Sequence, residues 1–257
     1  MSEPRWTIVT GASSGIGAEI ARRFSAIGHN LVLVARRRER LESLASELVA
    51  KDRGFVETME CDLAGTDAAQ ELHSRILAKD LAPHTLVNAA GFGLRGDFID
   101  LPLEEQMQMI ALNVAVPTAL CRLFLPDMIA RGRGGILNVA SMGAFQASPH
   151  MATYQATKAY LLSLSEALHE EAKPFGVVVT ALCPGATGTE FGASLDGGER
   201  RYLRSRLDAK RVARIGVESY RAGHAVCVPG ARNKTAIGLG RLLPRMLARR
   251  VAGAMQR

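Results

Sequence analysis

Residues 7–17 read TIVTGASSGIG, a short β-branched run that enters a glycine-rich turn. After the turn, Ile16, Ile20 and Phe24 recur at positions i, i+4 and i+8, which is the spacing of one helix face. Glycines let a backbone bend sharply and let a phosphate approach it, and a helix N-terminus offers N–H groups to that phosphate. The stretch predicts a strand, a tight turn and a helix. A turn without any ligand is the plainer interpretation.

Continuously apolar or β-branched runs alternate with helical patterns along the rest of the chain. Because these runs do not alternate between apolar and polar residues, they predict strands that are covered on both faces. Their order predicts an α/β fold, a single-domain doubly wound parallel sheet of about seven strands with right-handed crossovers. The predicted strands are Thr7–Thr10, Asn30–Val34, Phe55–Cys61, Thr85–Asn88, Gly135–Val139, Val177–Leu182 and Ala225–Val228. The predicted helices include Arg37–Ala50, Ala68–Ala78, Leu103–Ala130 and Ala152–Lys173.

The charge of the chain is concentrated at one end. Residues 231–257 contain seven arginines and lysines and no acid, which accounts for the whole net charge of +7. We therefore expect one domain over residues 1–230 and a basic C-terminal extension of it over 231–257. Residues 186–211, which are glycine-rich and then arginine-rich, are predicted to form a mobile flap over a site at the end of the sixth strand.

The extension has a helical pattern with two open interpretations. An apolar set recurs at helical spacing beside a stripe of arginines: Leu239, Leu242, Leu243, Met246 and Leu247, with Arg241, Arg245 and Arg249. Such a basic amphipathic helix lies on an anionic membrane surface or docks its apolar face on a neighbouring subunit. Docking is favoured. Nucleic-acid binding is not expected, because the body is neutral and no reading motif is present.

Composition argues against several classes of protein. No stretch reaches about 18 consecutive apolar residues, and the N-terminus lacks the basic-then-apolar pattern of a signal peptide. A cytoplasmic location is therefore the default expectation. The four cysteines are far apart without C-x-x-C spacing, and the histidines do not cluster with carboxylates. Neither a disulfide framework nor a metal site is expected.

A second constellation carries chemistry. Tyr154 and Lys158 are four residues apart, so they share one face of a predicted helix. A nearby positive charge lowers the pKa of a tyrosine from about 10. The pair therefore predicts a proton donor and acceptor near neutral pH. Ser141 precedes this pair.

Together these motifs resemble those of the short-chain dehydrogenase/reductases. The resemblance covers nearly the whole chain, in the family's order, and looks closest to the branch labelled DltE-like. It implies a Rossmann-type sheet. The motifs are TGASSGIG at 10–17, CDL at 61–63, VNAAG at 87–91, LNV at 112–114, NVAS at 138–141, the Tyr154/Lys158 pair and CPGAT at 183–187.

The resemblance implies an NADP(H)-dependent oxidoreductase that interconverts a carbonyl and a secondary alcohol by hydride transfer. Tyr154 would be the general acid and base, and Lys158 would tune Tyr154 and hold the nicotinamide ribose. Ser141 would orient the substrate oxygen, and Asn113 would hold a water that links Lys158 to solvent. Structural alternatives are a helix N-cap for Ser141 and a polar kink in a long helix for Asn113.

The end of the second predicted strand bears on the choice of cofactor. Residues 33–38 read LVARRR, without the acidic residue that would accept from a ribose 2′-hydroxyl and repel a 2′-phosphate. Arginine binds phosphate through its forked donors. NADP(H) is therefore predicted over NAD(H), with Arg36 the main contact and Arg37 assisting. A solvated charge run is the plainer interpretation, and Ser14 stands where many NADP-dependent relatives carry a basic residue.

By resemblance, the dinucleotide also contacts the ends of later strands. Asp62 would bond the adenine amino group, although it could instead cap the next helix, and Thr187 would lie near the nicotinamide carboxamide. The expected cofactor-binding set is Gly11, Ser13, Ser14, Gly15, Ile16, Gly17, Arg36, Arg37, Asp62, Leu63, Asn88, Ala89, Gly91, Tyr154, Lys158, Pro184, Gly185 and Thr187.

The substrate and the partners are less defined by the sequence. Phe92, Met142, Phe145, His150 and Phe191 are expected near the pocket, which suggests a mainly apolar carbonyl compound or alcohol. By resemblance, a homodimer or homotetramer would use the long helices 103–130 and 152–173. Two other classes remain open: a dinucleotide-binding sensor or scaffold without turnover, and a membrane-surface adaptor that acts through its tail.

Overall fold

Seven parallel strands form one sheet in the order β3-β2-β1-β4-β5-β6-β7, within the residues that the computed structural model describes, 5–52, 54–191 and 207–242. This is the predicted doubly wound sheet, and the predicted strands agree with it to within two residues at each end. The strands are β1 (Trp6–Thr10), β2 (Asn30–Ala35), β3 (Val56–Glu60), β4 (Pro83–Asn88), β5 (Gly134–Val139), β6 (Val177–Leu182) and β7 (Val226–Cys227).

Helices cover both faces of the sheet. They are α1 (Gly15–Ala26), α2 (Arg38–Asp52), α3 (Ala68–Leu77), α4 (Leu103–Ile110), α5 (Val116–Ala130), α6 (Ala152–Ala172), α7 (Ala209–Arg221) and α8 (Ala231–Leu242). Short 3₁₀ turns at Met142–Phe145 and Lys173–Phe175 follow β5 and α6.

The core consists of two apolar layers, one on each side of the sheet. On one side Phe24 of α1 packs with Val217 of α7 against strand residues such as Leu33. On the other side Leu72 of α3 and Phe124 of α5 pack against the opposite strand face. Each fully buried side chain of this size contributes roughly 1.5–3 kcal/mol. Covering on both faces explains why the strand sequences are continuously apolar.

The predicted helix Leu103–Ala130 is not regular. It consists of α4 and α5 joined by a π turn at Ala111–Ala115, which contains Asn113. Single π turns inside helices are frequent at functional sites. By length and composition alone this helix could cross a membrane. However, Phe124 and Met128 of α5 are buried in the core, and core packing accounts for the same composition.

The C-terminal helix begins earlier than the apolar pattern suggests. Helix α8 begins at Ala231, before Leu239. Residues 243–257 lie outside the described residues, and they include most of the predicted apolar set and the arginines Arg245 and Arg249. The division of the chain at 230 and the docking of the tail therefore stay predictions.

The strand order reverses at β1, because β2 lies on one side of it and β4 on the other. In such sheets a crevice opens at the carboxyl ends of the two strands that flank the reversal. The buried hydroxyl of Thr10 joins the end of β1 to β4 and to the loop that follows β4. It donates to the carbonyl of Val87 at 3.1 Å and accepts from the N–H groups of Ala89 and Ala90 at 3.1 and 3.2 Å.

Below this crevice, a buried histidine makes the stability of the fold depend on pH. His29 packs on Phe24 with ring centroids 5.1 Å apart, and its Nδ1 lies 2.8 Å from the hydroxyl of Thr7. Burial, together with the charges of His84 and Arg5, lowers the pKa of His29 to about 4. In the unfolded chain the pKa of a histidine is about 6.5.

We predict that the protein loses stability as the pH falls from about 6.5 towards 4. Over this range His29 is protonated in the unfolded chain but stays neutral in the folded protein, so the proton stabilises the unfolded state. A His29→Gln variant should show a shallower fall in unfolding free energy over this range, although His84 continues to contribute. Urea unfolding at a series of pH values measures both slopes. Equal slopes for the two proteins would contradict the assignment.

Candidate active site

A cavity of about 970 Å³ lies at the carboxyl ends of the strands. Its wall brings together the glycine turn, the ends of β2, β3 and β4, the N-terminal part of α6 and the loop after β6. The predicted site residues in this wall are Gly11, Ser13, Ser14, Gly15, Ile16, Gly17, Arg36, Arg37, Asp62, Leu63, Ala89, Gly91, Ser141, Tyr154, Lys158, Pro184, Gly185 and Thr187. Residues spread over more than 170 positions therefore line a single cavity.

The glycine turn is as tight as its sequence suggests. Gly11 and Gly15 have φ angles of +66° and +57°, a conformation that side-chain-bearing residues rarely adopt. A Cβ atom at Gly17 would lie 2.4 Å from the carbonyl oxygen of Gly11. The backbone therefore presents the N-terminus of α1 directly to the cavity, which is the arrangement that binds phosphate.

An arginine from across the cavity reaches this turn. Arg37 follows β2 and donates from Nη2 to the hydroxyls of Ser13 and Ser14 at 3.0 and 2.8 Å. The guanidinium thus supplies the positive charge that the turn itself lacks at Ser14. Arg36 also lines the cavity, and it has no hydrogen-bonding or ion-pair partner among the described residues. The structure gives Arg37, rather than Arg36, the closer place beside the turn.

Two residues of the predicted cofactor set differ in where the structure places them, since Asp62 lies in the wall of the cavity and Asn88 does not. Asn88 does not line the cavity. Its side chain lies behind the wall and donates to Asn138 at 2.8 Å, which ties β4 to β5. Asp62 does line the cavity, and its carboxylate accepts from the N–H of Ala64 at 3.1 Å. Helix α3 begins only at Ala68, so the alternative of Asp62 as its cap is wrong.

Tyr154 and Ser141 meet at the centre of the wall. Tyr154 is 7% exposed, and both residues line the cavity, where Ser141 favours the ionised form of the phenol. Ser141 also accepts from the N–H of Gly143 at 3.0 Å, as the N-cap of the 3₁₀ turn Met142–Phe145. The capping and the functional interpretations of Ser141 are therefore compatible, because the cap holds the hydroxyl in place.

Lys158 lies one turn further along α6, and it is buried as well. Its Nζ donates to the carbonyl of Val139 at 2.9 Å and lies 5.9 Å from the centroid of the Tyr154 ring. The ammonium is therefore anchored to the end of β5, on the same side of the cavity as the phenol.

The predicted lowering of the Tyr154 pKa is wrong. Burial raises the pKa of Tyr154 to about 12, and the hydrogen bond from Ser141 offsets this only in part. Burial also lowers the pKa of Lys158 to about 8. A low-dielectric wall disfavours both charged forms. Desolvation therefore outweighs the attraction on which the sequence argument relied.

Asn113 lies behind this group, on the π turn. Its Nδ2 donates to the carbonyl of Phe92 at 2.8 Å and to the hydroxyl of Thr157 at 3.1 Å. A Cβ atom at Gly91 would lie 2.8 Å from its Oδ1 and 3.5 Å from Nζ of Lys158. Asn113 does not line the cavity, and its side chain joins the loop after β4 to α6. The predicted role of holding a water stays a prediction.

The substrate end of the cavity differs in part from the expectation. Phe92, Met142 and Phe191 line it, and the rings of Phe191 and Tyr154 are 5.6 Å apart. Phe145 and His150 are not in the wall. The sequence argument also missed a set of polar wall residues, which no motif marks: Arg95, Gln108, Gln146, Ser148 and Gln155.

Two later segments border the end of the cavity near Tyr154. Asn233 of α8 packs against Gly185, where a Cβ atom would lie 2.8 Å from its Nδ2. The C-terminal helix thus begins at the site. Of the predicted flap, residues 192–206 lie outside the described residues. Backbone hydrogen bonds join Leu207, near the end of the predicted flap, to Ala186 and Gly188 at its start.

The chain is similar to several known proteins in sequence and in structure. A family model described as short chain dehydrogenase matches residues 5–200. A very-long-chain 3-oxoacyl-CoA reductase of Pyrenophora tritici-repentis is 35% identical over 178 residues, which is 68% of this chain and 52% of that protein. The chain therefore spans about half the length of this curated relative.

Two solved structures resemble the fold over nearly its full length. A short-chain dehydrogenase from Sphingobium yanoikuyae, in complex with NADPH, is 32% identical with a TM-score of 0.83 and covers 93% of both chains. A bulky-bulky ketone specific alcohol dehydrogenase from Comamonas testosteroni is 30% identical with a TM-score of 0.80. It covers 94% of this chain and 93% of its own.

The tight turn gives a direct prediction. In Gly17→Ala the new methyl group meets the backbone of Gly11, and such overpacking costs about 1–3 kcal/mol. We expect a lower unfolding temperature and NADPH binding at least about tenfold weaker by titration calorimetry. Gly238→Ala is the matched control, because no atom of the described residues lies within 4 Å of a Cβ atom there. Unchanged NADPH binding by Gly17→Ala would contradict a phosphate site at this turn.

Proposed function

The chain belongs to the short-chain dehydrogenase family, and on that premise we propose that it is an NADP(H)-dependent oxidoreductase interconverting a carbonyl compound and a secondary alcohol. The observation that carries the proposal is the meeting of Tyr154, Ser141 and Lys158 in the same cavity as the glycine turn. Proton-transfer groups and a phosphate-binding turn are the two components that hydride transfer to a carbonyl requires of a protein.

The residues present fit a dinucleotide. At one end the turn requires its glycines, and the serine hydroxyls beside it are bound by Arg37. At the other end Gly185 and Thr187 border the wall next to Tyr154. When bound, the dinucleotide supplies the hydride. The proposed preference for NADP(H) is supported by Arg37, whose fork suits a phosphate, and by the NADPH complex of the Sphingobium relative.

In this proposal the chain supplies the proton and places the carbonyl oxygen. The phenol of Tyr154 gives its proton to that oxygen in reduction and takes one back in oxidation. Ser141, held by Gly143, directs a second hydrogen bond at the same oxygen. Lys158 stays beside the phenol through its bond to Val139, and it would hold the nicotinamide ribose.

At neutral pH the phenol of Tyr154 is in the protonated form that reduction of a carbonyl needs. Because burial raises the pKa of Tyr154 to about 12, the phenol is protonated at pH 7 and ready to act as an acid. Oxidation needs the phenolate, so its rate should increase as the pH rises.

A dinucleotide-binding sensor or scaffold without turnover is the alternative proposal. It gives no role to the phenol of Tyr154 and the hydroxyl of Ser141 that lie together in the wall of the cavity. The oxidoreductase proposal is therefore preferred.

Several finer assignments accompany this proposal. The DltE-like branch is proposed from the motifs alone. A mainly apolar substrate is supported by Phe92, Met142 and Phe191 in the wall. A homodimer or homotetramer through α4 to α6 is supported by apolar side chains there that are exposed in the single chain, with Leu103 74% and Met107 55% exposed. Membrane contact through the tail and a cytoplasmic location stay predictions.

Tyr154→Phe removes only the phenolic oxygen and leaves the ring in place. We predict that kcat for NADPH-dependent ketone reduction falls by about 10²–10⁴-fold, because the proton donor is lost. NADPH affinity and the unfolding temperature should stay close to those of the wild type. NADPH oxidation over a panel of ketones, aldehydes and 3-oxoacyl thioesters measures the rate. Retention of most activity would refute the role of Tyr154.

Arg37→Gln tests the choice of cofactor. A hydrogen bond to a charged group is worth about 1.5–3 kcal/mol, so NADPH binding should weaken by about tenfold or more. NADH binding should change little, because NADH lacks the 2′-phosphate. Arg38→Gln is the matched control, since Arg38 pairs with Glu42 on the exposed side of α2. Wild-type protein that binds NADPH no tighter than NADH would overturn the preference.

A further inference from the structure

A carboxylate from the loop after β6 lies against the arginines at the adenosine end of the cavity. Glu190 accepts from Nη1 of Arg37 at 2.9 Å and also pairs with Arg40 of α2. These hydrogen bonds, first from Arg40 and then from Arg37, lower the pKa of Glu190 to about 2. The carboxylate is therefore ionised at any pH at which the protein works. No sequence motif marks Glu190 or predicts that Arg40 pairs with it.

The donors of Arg37 are divided between two partners. Nε and Nη2 donate to the serine hydroxyls of the glycine turn, and Nη1 donates to Glu190. The fork that should bind a phosphate is thus already bound to an anion of the same chain. A carboxylate and a phosphate are the two anions that the geometry of a guanidinium matches.

We infer that Glu190 is a specificity-determining residue, which competes with the 2′-phosphate of NADP(H) for Arg37 and so limits the preference of the site for NADP(H) over NAD(H). This inference rests on the proposed function, because it assumes that a dinucleotide occupies the cavity. A 2′-phosphate at Arg37 has to displace Glu190 or lie beside it as a like charge. NAD(H) has a neutral hydroxyl at that position, so its binding leaves the pair intact.

The exposure of this ion pair to solvent limits how strongly Glu190 changes the binding of NADP(H). Glu190 and Arg37 are both about half exposed, and single exposed ion pairs contribute little. Two arginines converging on one carboxylate form a small network, whose contribution exceeds that of a single pair. We therefore expect an effect of a few-fold, and one that weakens as salt is added.

The same loop connects this pair to the centre of the site. Thr189 packs over Gly15 of the turn. A Cβ atom added at Gly15 would lie 3.2 Å from Cγ2 of Thr189. Phe191 packs on the ring of Tyr154. Glu190 lies between these two residues in the chain.

The test compares Glu190→Gln with the wild type by titration calorimetry at low salt. The probes are adenosine 2′,5′-bisphosphate, which carries the 2′-phosphate, and ADP, which does not. Glutamine keeps the shape of the side chain and removes the charge. We expect Glu190→Gln to bind the bisphosphate about 3- to 10-fold tighter and ADP within about twofold of the wild type. Glu42→Gln is the control, because Glu42 pairs with Arg38 on the same helix, away from the cavity.

The outcomes separate this inference from the proposed function. If the wild type binds both nucleotides and Glu190→Gln changes neither, or changes both equally, Glu190 is not a determinant of specificity and the oxidoreductase proposal is untouched. Weaker binding of the bisphosphate by Glu190→Gln would likewise overturn the competition. Wild-type protein that binds neither these nucleotides nor NADPH would overturn both.

Discussion

The hydroxyl of Thr10 sets the geometry on which the site depends. It lies buried at the end of β1 and bridges to the backbone of β4 and of the loop that follows it. This bridge brings the glycine turn against Ala89, so closely that a Cβ atom at Gly11 would lie 2.8 Å from the Ala89 carbonyl oxygen. The next residues of the same loop reach Asn113 and Lys158. One buried hydroxyl thus connects the glycine turn to the loop that reaches Asn113 and Lys158.

Burial of the sheet on both faces explains why the chemistry lies where it does. Polar groups are costly inside the two apolar layers, so functional side chains collect at the carboxyl ends of the strands. Those that remain buried there have shifted pKa values. Tyr154 keeps its proton, and Lys158 releases its proton more readily than an exposed lysine does. Both shifts come from desolvation more than from the charge of a neighbour.

The sequence was sufficient for the features that local patterns encode. Strand runs, the glycine turn and the Tyr154/Lys158 pair are each continuous or nearly so in the chain, and their places were predicted to within one or two residues. Features that depend on distant pairs were not predictable. Glu190 meets Arg37 across more than 150 positions, and Asn88 turns to Asn138 rather than to the cavity. The direction of the Tyr154 pKa was also missed, because burial is a property of the packed fold and not of an i, i+4 spacing.

The central claim is that this cavity transfers a hydride to a carbonyl. The most direct test is to incubate the wild-type protein with NADPH deuterated at the transferable C4 position and a mixture of ketones, aldehydes and 3-oxoacyl thioesters. The products are then examined by mass spectrometry. The account predicts at least one alcohol product that carries a single deuterium. Tight binding of NADPH without deuterium in any product would contradict it and would favour a protein that binds the dinucleotide without turning it over.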